Sequence, residues 1–302
     1  MVKNLVLENI SVGFKLPQGV FYAVDDVSLS LPGGNFTAII GESGCGKSVL
    51  GQAILNILPS GVIKKGRVLY NGEQVEKILS AFGIIPQNPS ESLNPVRKIG
   101  KQMQDILAVH NIVDSDNSYK KQCLRLFGLQ EEERVLAAYP HELSGGMLQR
   151  VLCAMAVSSK PEWILADEPT KGLDEQVGAV VRKNLLTIKQ DLHLSMLIIT
   201  HDIALAQEVC DDVLVMYAGQ VLEHNADIWH KPLHPYTKGF LKALPKNGLQ
   251  VIPGKAPVPG ESFTGCKFAA RCPYCTMRCK EEKPAMQQVG NAEVRCFLYA
   301  EG

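Results

Sequence analysis

The stretch Gly41-Glu42-Ser43-Gly44-Cys45-Gly46-Lys47-Ser48 decides the fold of this chain. It satisfies the pattern G-x-x-x-x-G-K-[ST], and it lies between an apolar run, Phe36 to Ile40, and a helix-compatible stretch from Ser48 to Leu58. A strand, a glycine loop and a helix in this order direct backbone N–H groups and the positive end of the helix towards a phosphate chain. Lys47 then reaches the β- and γ-phosphates, and the Ser48 hydroxyl ligates Mg²⁺. The stretch therefore predicts a nucleotide-phosphate site.

Length, charge and hydropathy narrow the class of protein. The chain has 302 residues and a formal net charge of zero, so it has room for a domain of about 230 residues with an appendage and no basic excess to attract nucleic acid. No apolar run approaches the roughly 18 residues that cross a bilayer, and the stretch from Met1 to Leu5 lacks the core of a signal peptide. We expect a protein that is made and kept in the cytosol, with docking on a membrane component left open, and that binds no nucleic acid.

The apolar patterns predict an α/β protein. Near-continuous apolar runs at Trp163–Ala166 and Met196–Ile199 are typical of parallel strands covered on both faces. The residues from Val96 to Leu136 have helical spacing instead. Other predicted elements are strands at Leu5–Ile10, Tyr22–Leu31 and Gly66–Tyr70, a turn at Asn71-Gly72, a crossover helix within Asp174–Leu192, a hairpin around Ala218-Gly219 and a short helix between Pro235 and Leu244.

Two further elements carry chemistry. The strand beginning at Trp163 ends in Asp167-Glu168; a carboxylate there holds Mg²⁺ through water, which suits Asp167, and Glu168 is placed to orient or deprotonate the attacking water. Ser144-Gly145-Gly146 precedes a helix-compatible stretch, Met147–Ser158. Its accessible N–H groups would form a second anion site at a helix N-terminus, whereas the pattern alone is typical of an N-cap with a flexible lead-in.

With these motifs the chain resembles the ATP-binding subunits of ABC transporters. Gly41–Ser48 matches Walker A, Trp163–Asp167 matches Walker B and Leu143–Arg150 matches the ABC signature. Gln87 matches the Q-loop, Gly172-Leu173-Asp174 resembles the D-loop, and His201 matches the switch histidine. All six occur in the family's order within the first two-thirds of the chain.

The resemblance implies a role for each site residue. Glu168, His201 and Gln87 are the catalytic group: His201 hydrogen-bonds the γ-phosphate, and Gln87 contacts Mg²⁺ or the water. Ser48, Gln87 and Asp167 hold Mg²⁺. Phe14 stacks on adenine, with Tyr22 as the alternative. The ATP-binding residues are Phe14, Gly41, Glu42, Ser43, Gly44, Cys45, Gly46, Lys47, Ser48, Ser144, Gly145, Gly146 and Asp174.

The end of the chain resembles the C-terminal extension of the oligopeptide, dipeptide and nickel branch. The shared stretches are His234-Pro235-Tyr236-Thr237, Ile252-Pro253-Gly254 and Gly265 to Pro273. Five of the nine cysteines lie there. In a reducing cytosol such a group of cysteines indicates metal ligands more readily than disulfides. The resemblance implies a [4Fe–4S] cluster on Cys266, Cys272, Cys279 and Cys296. Cys272-Pro273-Tyr274-Cys275 keeps zinc open as an alternative, since C-x-x-C is also a zinc spacing.

Together these observations predict a P-loop ABC ATPase core with an antiparallel β-subdomain and a helical subdomain near residues 90–158. The ATPase domain covers residues 1–245, and a small Cys-rich tail covers 246–302, with a boundary near Lys246. The resemblance implies ATP hydrolysis that drives import of peptides or nickel at the cytoplasmic face of the membrane. The implied partners are a second, related ATPase subunit, two permease subunits and an external solute-binding protein. The alternative is a non-transport ABC ATPase whose cysteines sense redox state or iron.

Overall fold

The structure is a computed structural model that describes residues 3–17, 19–74, 81–245, 248–258, 261 and 263–300. It contains two compact units. The first comprises Met1–Asn4, Pro32–Phe36 and Val75–Val209, and the second comprises Leu5–Leu31, Thr37–Gln74 and Cys210–Gly302. The predicted boundary near Lys246 lies outside the described residues.

The strands and helices are numbered in chain order. The strands are β1 (Leu5–Leu16), β2 (Gly19–Leu31), β3 (Phe36–Gly41), β4 (Ile63–Tyr70), β5 (Glu73–Gln74), β6 (Phe82–Ile85), β7 (Trp163–Asp167), β8 (Ser195–Ile199), β9 (Asp212–Tyr217), β10 (Gln220–Asn225), β11 (Gln287–Val289) and β12 (Ala292–Val294). The helices are α1 (Lys47–Leu55), α2 (Pro89–Ser92), α3 (Ile99–Val109), α4 (Ser118–Leu126), α5 (Glu132–Ala137), α6 (Gly145–Ser158), α7 (Glu175–Thr187), α8 (Ile203–Val209), α9 (Pro235–Lys242) and α10 (Met277–Glu281).

The first unit is built on three parallel strands. β7 pairs with β6 on one side and with β8 on the other. Ile164 and Ile198 are fully buried in this sheet, as expected for strands covered on both faces. The two apolar runs of the sequence are therefore confirmed as parallel strands. Because all three strands run the same way, the residues that follow them lie at one edge of the sheet.

Helices α3 to α6 belong to the same unit. α3 buries Ile99, Met103 and Leu107, which are four residues apart and so share one face of the helix. The predicted helical character from Val96 to Leu136 is confirmed by α3, α4 and α5. Of the helices in the described part of the chain, none is long and apolar enough to cross a bilayer.

The second unit contains an antiparallel sheet with the strand order β2-β1-β4-β5. Asn71 and Gly72 both have positive φ angles, 54° and 83°, and they form the predicted turn between β4 and β5. The predicted end of the first strand at Ile10 is wrong, because β1 continues to Leu16. Its pairing with β2 shifts register three times between Leu7 and Gly13. Such bulges interrupt the alternation by which a strand is recognised in a sequence.

A second set of strands in this unit has the order β11-β12-β10-β9-β3. β3 runs parallel to β9, whereas the other neighbours are antiparallel. The predicted hairpin around Ala218-Gly219 is confirmed by β9 and β10. The C-terminal residues contribute β11 and β12. They therefore extend the set of strands that includes β3, the strand that leads into the glycine loop.

His224 on β10 links this sheet to its last hairpin. Its Nε2 lies 3.5 Å from Asp212 Oδ2 and its Nδ1 lies 3.3 Å from Glu293 Oε2. Burial lowers the pKa of His224, but hydrogen bonds and charge from Asp212 and Glu293 outweigh burial, and the net pKa is raised. A raised pKa in the folded state stabilises the protein below the unfolded pKa of about 6.5, and that contribution is lost as pH rises through the folded value.

We therefore expect the stabilising effect of His224 to fade as pH rises above about 6.5. Urea unfolding at several pH values would compare the wild type with His224→Gln, and hydrogen exchange would follow β12. His230→Gln is the control, because His230 pairs with Asp227 at an exposed site and such pairs contribute little. If the difference in free energy of unfolding between wild type and His224→Gln stays constant across the tested pH values, the prediction is contradicted.

Candidate functional site

The glycine loop, residues Gly41–Ser48, has a backbone that only glycine accommodates at two positions. Gly41 and Gly46 have φ angles of 150° and 105°. A Cβ on Gly41 would lie 2.2 Å from the carbonyl oxygen of Met216, and one on Gly46 would lie 2.1 Å from that of Ala23. The loop is thus packed against backbone of β9 and β2 within the second unit. This explains why the motif needs glycine at its first and sixth positions.

Lys47 lies inside the loop at the start of α1. Its Nζ donates hydrogen bonds to the carbonyl oxygens of Gly41 at 3.0 Å and Glu42 at 3.1 Å. Cys45 is buried beside it, and burial raises the pKa of the Cys45 thiol. Ser48 is half-buried in the first turn of α1. The tip of the loop, Ser43 and Gly44, is exposed.

Glu168 and His201 meet in the first unit, at the carboxyl ends of β7 and β8. His201 Nδ1 lies 2.5 Å from Glu168 Oε2, which also accepts a hydrogen bond from the His201 backbone N–H at 3.3 Å. Glu168 has a φ of 49°, an uncommon value for a non-glycine residue that is found at functional sites. An ionised carboxylate only accepts hydrogen bonds, so Nδ1 carries the hydrogen. With hydrogen on Nδ1, a neutral imidazole presents Nε2 as an acceptor and an imidazolium presents it as a donor.

Asp167 and Gln87 lie at the same edge of this parallel sheet. Asp167 is the last residue of β7 and is half-buried, and Gln87 is exposed two residues beyond the end of β6. Ligands of open α/β sheets bind at this edge, beyond the carboxyl ends of the strands. The structure therefore brings Asp167, Glu168, Gln87 and His201 to one edge. The chemical role of each remains a prediction.

The predicted second anion site begins α6. The Ser144 hydroxyl accepts a hydrogen bond from the Met147 N–H at 3.3 Å and so caps this helix. Gly145 and Gly146 have open space where a side chain would project. Asp174 caps α7 in the same way, accepting from the Val177 N–H at 2.9 Å. Both motifs in the first unit are exposed helix starts, as their sequences predict.

The adenine-stacking candidates lie on the β1–β2 ribbon of the second unit. The predicted end of the first strand at Ile10 places Phe14 after that strand, but in the structure Phe14 lies within β1, where it pairs with Phe21. The expected position is therefore wrong, because β1 extends past its bulges to Leu16. Tyr22 lies on β2, with Lys65 Nζ 5.4 Å from the centre of its ring. Phe14 and Tyr22 are both half-buried, so both remain candidates.

The four cysteines predicted as cluster ligands line one cavity of about 160 Å³ in the second unit. Cys275 is not among the lining residues. Burial raises the pKa of Cys266 to about 11, and it also raises the pKa of Cys272 and Cys296. In the part of the chain that the structure describes, no three His, Cys, Asp or Glu side chains form a group that would hold a metal ion. The geometry of the described side chains therefore supports neither zinc nor an iron–sulfur cluster.

Comparison with known proteins places the chain in a family. Residues 24–171 match the protein family described as "ABC transporter". Residues 222–279 match the family described as "Oligopeptide/dipeptide transporter, C-terminal region". The oligopeptide transport ATP-binding protein OppD of Haemophilus influenzae is 34% identical over 98% of both chains. The dipeptide transport ATP-binding protein DppD of Escherichia coli is 36% identical over 95% of this chain and 94% of its own. The chain belongs to the ABC transporter ATP-binding proteins.

Solved structures agree with this assignment at the level of the fold. An ATP-binding cassette solved as a dimer after hydrolysis, with ADP and phosphate bound, has a TM-score of 0.62 at 24% identity, covering 73% of this chain and 97% of that one. A Clostridium perfringens protein that is part of the ABC transporter complex cbiONQ has the same TM-score at 27% identity, covering 74% of this chain and 88% of that one. The predicted ABC ATPase fold is confirmed, and this ABC transporter ATP-binding protein is an ATPase.

Sequence reasoning missed two residues that contact the phosphate loop of this ABC protein. Arg271 forms an ion pair with Glu42 at 3.1 Å, and the Tyr236 hydroxyl accepts a hydrogen bond from the Glu42 N–H at 3.2 Å. Both lie within stretches that the resemblance identified, but nothing in their spacing connects them to Glu42. Their contacts arise only when the chain folds.

Proposed function

We propose that this protein is the ATP-hydrolysing motor subunit of an ABC importer for peptides. The observation that carries the proposal is the occurrence of the ABC transporter region and the oligopeptide/dipeptide C-terminal region in one chain. Full-length relatives named for oligopeptide or dipeptide transport support peptides, and none of these three names supports nickel. ATP-driven closure of two ATPase subunits then drives solute uptake.

The phosphate loop binds the polyphosphate in this proposal. Lys47 and the loop N–H groups hold the β- and γ-phosphates, and the N-terminus of α1 adds a positive field. Ser48, Asp167 and Gln87 offer hydroxyl, carboxylate and amide oxygens, which is the donor set that Mg²⁺ prefers. Mg²⁺, when bound, neutralises charge on the phosphate oxygens. Phe14 or Tyr22 stacks on the adenine ring.

Glu168 is the proposed general base for the attacking water, and His201 positions it. The 2.5 Å contact between His201 Nδ1 and Glu168 Oε2 fixes the carboxylate at the carboxyl edge of β7. While Nδ1 donates to Glu168, His201 donates to a γ-phosphate only through a hydrogen on Nε2; otherwise it must release Glu168 first. We propose that engagement of the γ-phosphate by His201 releases the Glu168 carboxylate for the water.

The hydrolysis site is completed by a second subunit. At the start of α6, Ser144 and Gly145 are exposed and Gly146 is half-buried. We propose that their N–H groups bind the γ-phosphate held by a related partner ATPase, with Asp174 at the subunit boundary. Two permease subunits and an external solute-binding protein complete the importer, with this chain at the cytoplasmic face of the membrane. The ATPase domain is assigned to residues 1–245 and the Cys-rich tail to 246–302.

Reconstitution tests this function. The chain would be co-expressed with candidate partner ATPase and permease subunits, purified with them and placed in vesicles with a candidate solute-binding protein. We expect ATP-dependent uptake of a labelled peptide, and none with a non-hydrolysable ATP analogue. Uptake of Ni²⁺ but not peptide would overturn the substrate class. ATPase activity without any association with the membrane subunits would favour a sensing ATPase.

We further propose that the cavity in the C-terminal residues holds a [4Fe–4S] cluster. Cys266, Cys272, Cys279 and Cys296 all line it, and Cys275 does not. The four cysteines would hold the cluster as thiolates, which is the ligand set that a [4Fe–4S] cluster takes. Such a cluster would supply one-electron redox chemistry or a purely structural crosslink. Because burial raises the thiol pKa values, cluster assembly here releases protons.

Metal analysis of anaerobically purified protein tests the cluster. We expect about four irons and visible absorption for the wild type, a loss of both in Cys272→Ser, and retention of both in Cys275→Ser. Cys275 is the matched control because it lies close in sequence to the proposed ligands Cys272 and Cys279 yet does not line the cavity. Zinc without iron would overturn the cluster, and loss of iron in Cys275→Ser would overturn the ligand set.

A further inference from the structure

Glu42 in the phosphate loop is held at all three of its polar groups. Its carbonyl oxygen accepts from Lys47 Nζ at 3.1 Å. Its backbone N–H donates to the Tyr236 hydroxyl at 3.2 Å. Its carboxylate accepts from Arg271 Nη1, at 3.1 Å to Oε1 and 3.3 Å to Oε2. Only the first of these contacts comes from the loop motif itself. The other two come from the C-terminal segment, defined here as the residues of the second unit from Cys210 onwards.

Arg271 is fixed from the side of the C-terminal segment. Its side chain is 8% exposed. Its Nε donates to the Pro253 carbonyl oxygen at 3.1 Å, and its Nη1 also reaches the Tyr217 hydroxyl at 3.3 Å. The guanidinium lies over the Tyr217 ring, 5.7 Å from its centre. These contacts hold the guanidinium in place independently of Glu42, so Arg271 presents a fixed positive charge to the loop.

Tyr236 is equally well fixed. Its side chain is fully buried at the start of α9. Its ring centre lies 4.6 Å from that of Tyr217 and 5.5 Å from that of Phe268. Burial raises the pKa of Tyr236, so its hydroxyl stays protonated and neutral. The Glu42 N–H therefore meets a rigid acceptor that belongs to the aromatic core of the C-terminal segment.

The charge of Glu42 gives these contacts a consequence for ATP. A carboxylate in the second position of a phosphate loop would repel a polyphosphate, and this repulsion is strong where water is partly excluded. Arg271 is the cation that pairs with this carboxylate. An ion pair with one partner removed leaves the other charge uncompensated. Loss of Arg271 would thus leave a negative charge where the phosphates bind.

We propose that Arg271 and Tyr236 are positioning residues for the phosphate loop, with Arg271 neutralising Glu42 so that the loop accepts ATP. The inference rests on the proposed phosphate role of Gly41–Ser48. It gives the C-terminal segment a part in nucleotide binding that the loop motif alone does not reveal. Neither Arg271 nor Tyr236 touches the nucleotide; both act through Glu42.

The test measures ATP affinity of the full chain with a fluorescent ATP analogue. We expect Arg271→Met to raise the Kd about tenfold, which corresponds to about 1.4 kcal/mol. The double variant Arg271→Met/Glu42→Gln removes both charges, and its Kd should return to within about threefold of the wild type. Lys255→Gln is the matched control, because it also removes a positive charge from the C-terminal segment but at an exposed position. Its Kd should equal that of the wild type.

Each outcome decides one point. Wild-type affinity in Arg271→Met, or a double variant as weak as the single one, would overturn charge neutralisation by Arg271. Failure of the wild type itself to bind ATP would overturn the proposed function of the loop instead. Tyr236→Phe provides a second measurement if Arg271→Met does not fold, because it deletes one oxygen and keeps the ring. Amide hydrogen exchange at Glu42 should accelerate about tenfold in Tyr236→Phe, and unchanged exchange would contradict the positioning role.

Discussion

Glu168→Gln is expected to slow ATP hydrolysis by about 10²–10⁴-fold while ATP still binds. The substitution is nearly isosteric, and the Gln oxygen is able to keep the hydrogen bond that the Glu168 carboxylate accepts from the His201 N–H. It removes only the basicity that a general base requires. Single-turnover hydrolysis and equilibrium ATP binding, measured on the same preparation, would separate the chemical step from the binding step.

The control for this variant is Glu208→Gln in the same unit. Glu208 lies on the surface with half of its side chain exposed, and its Oε2 lies 3.5 Å from Arg182 Nε. Such exposed ion pairs contribute little to stability. Its hydrolysis rate should match the wild type. If Glu168→Gln also hydrolyses ATP at the wild-type rate, Glu168 is not the base, and a different group at this edge of the sheet must activate the water.

Gly46→Ala is expected to destabilise the protein by about 3 kcal/mol or more and to weaken ATP binding about a hundredfold or more. The added Cβ would lie 2.1 Å from the carbonyl oxygen of Ala23, at a φ of 105° that alanine rarely adopts. The obstacle is backbone, so no side-chain rotation relieves the contact. Denaturant unfolding and ATP titration of the purified variant would measure both effects.

Gly44→Ala distinguishes this contact from the general cost of replacing glycine. Gly44 has a φ of 77°, but a Cβ there meets nothing within 4 Å. Only the conformational penalty of about 1–2 kcal/mol applies. Equal losses of stability in the two variants would show that backbone conformation, and not the approach of Ala23, sets the requirement for glycine at position 46.

Local signals predicted much of this fold because each is contained in a few neighbouring residues. The run ending at Asp167 is apolar because both faces of β7 are covered, and Asn71-Gly72 marks a turn because both residues tolerate positive φ. The length of β1 was missed, because its bulges and the positive φ of Asn9 break the alternation after Leu7. Glu168 and His201 come together because they follow the parallel strands β7 and β8 at the same edge of the sheet.

Contacts between residues that are far apart in the chain could not be predicted from sequence patterns. Glu42 and Arg271 are 229 positions apart, and neither belongs to a pattern that mentions the other. Arg271 directly precedes Cys272 in a stretch whose cysteines indicate metal ligands. No sequence pattern assigns a role to the Arg271 side chain itself. Only burial of the guanidinium between Tyr217 and Glu42 shows where its charge is used.

The Glu42–Arg271 pair also has an evolutionary consequence. If the carboxylate is tolerated in the loop only beside that guanidinium, the two positions should change together among relatives, and a loop with a neutral second residue should free position 271 to vary. The same reasoning applies to chimeras. Grafting the C-terminal residues of one relative onto the ATPase core of another should preserve ATP binding only when the donor's residue at 271 suits the recipient's residue at 42.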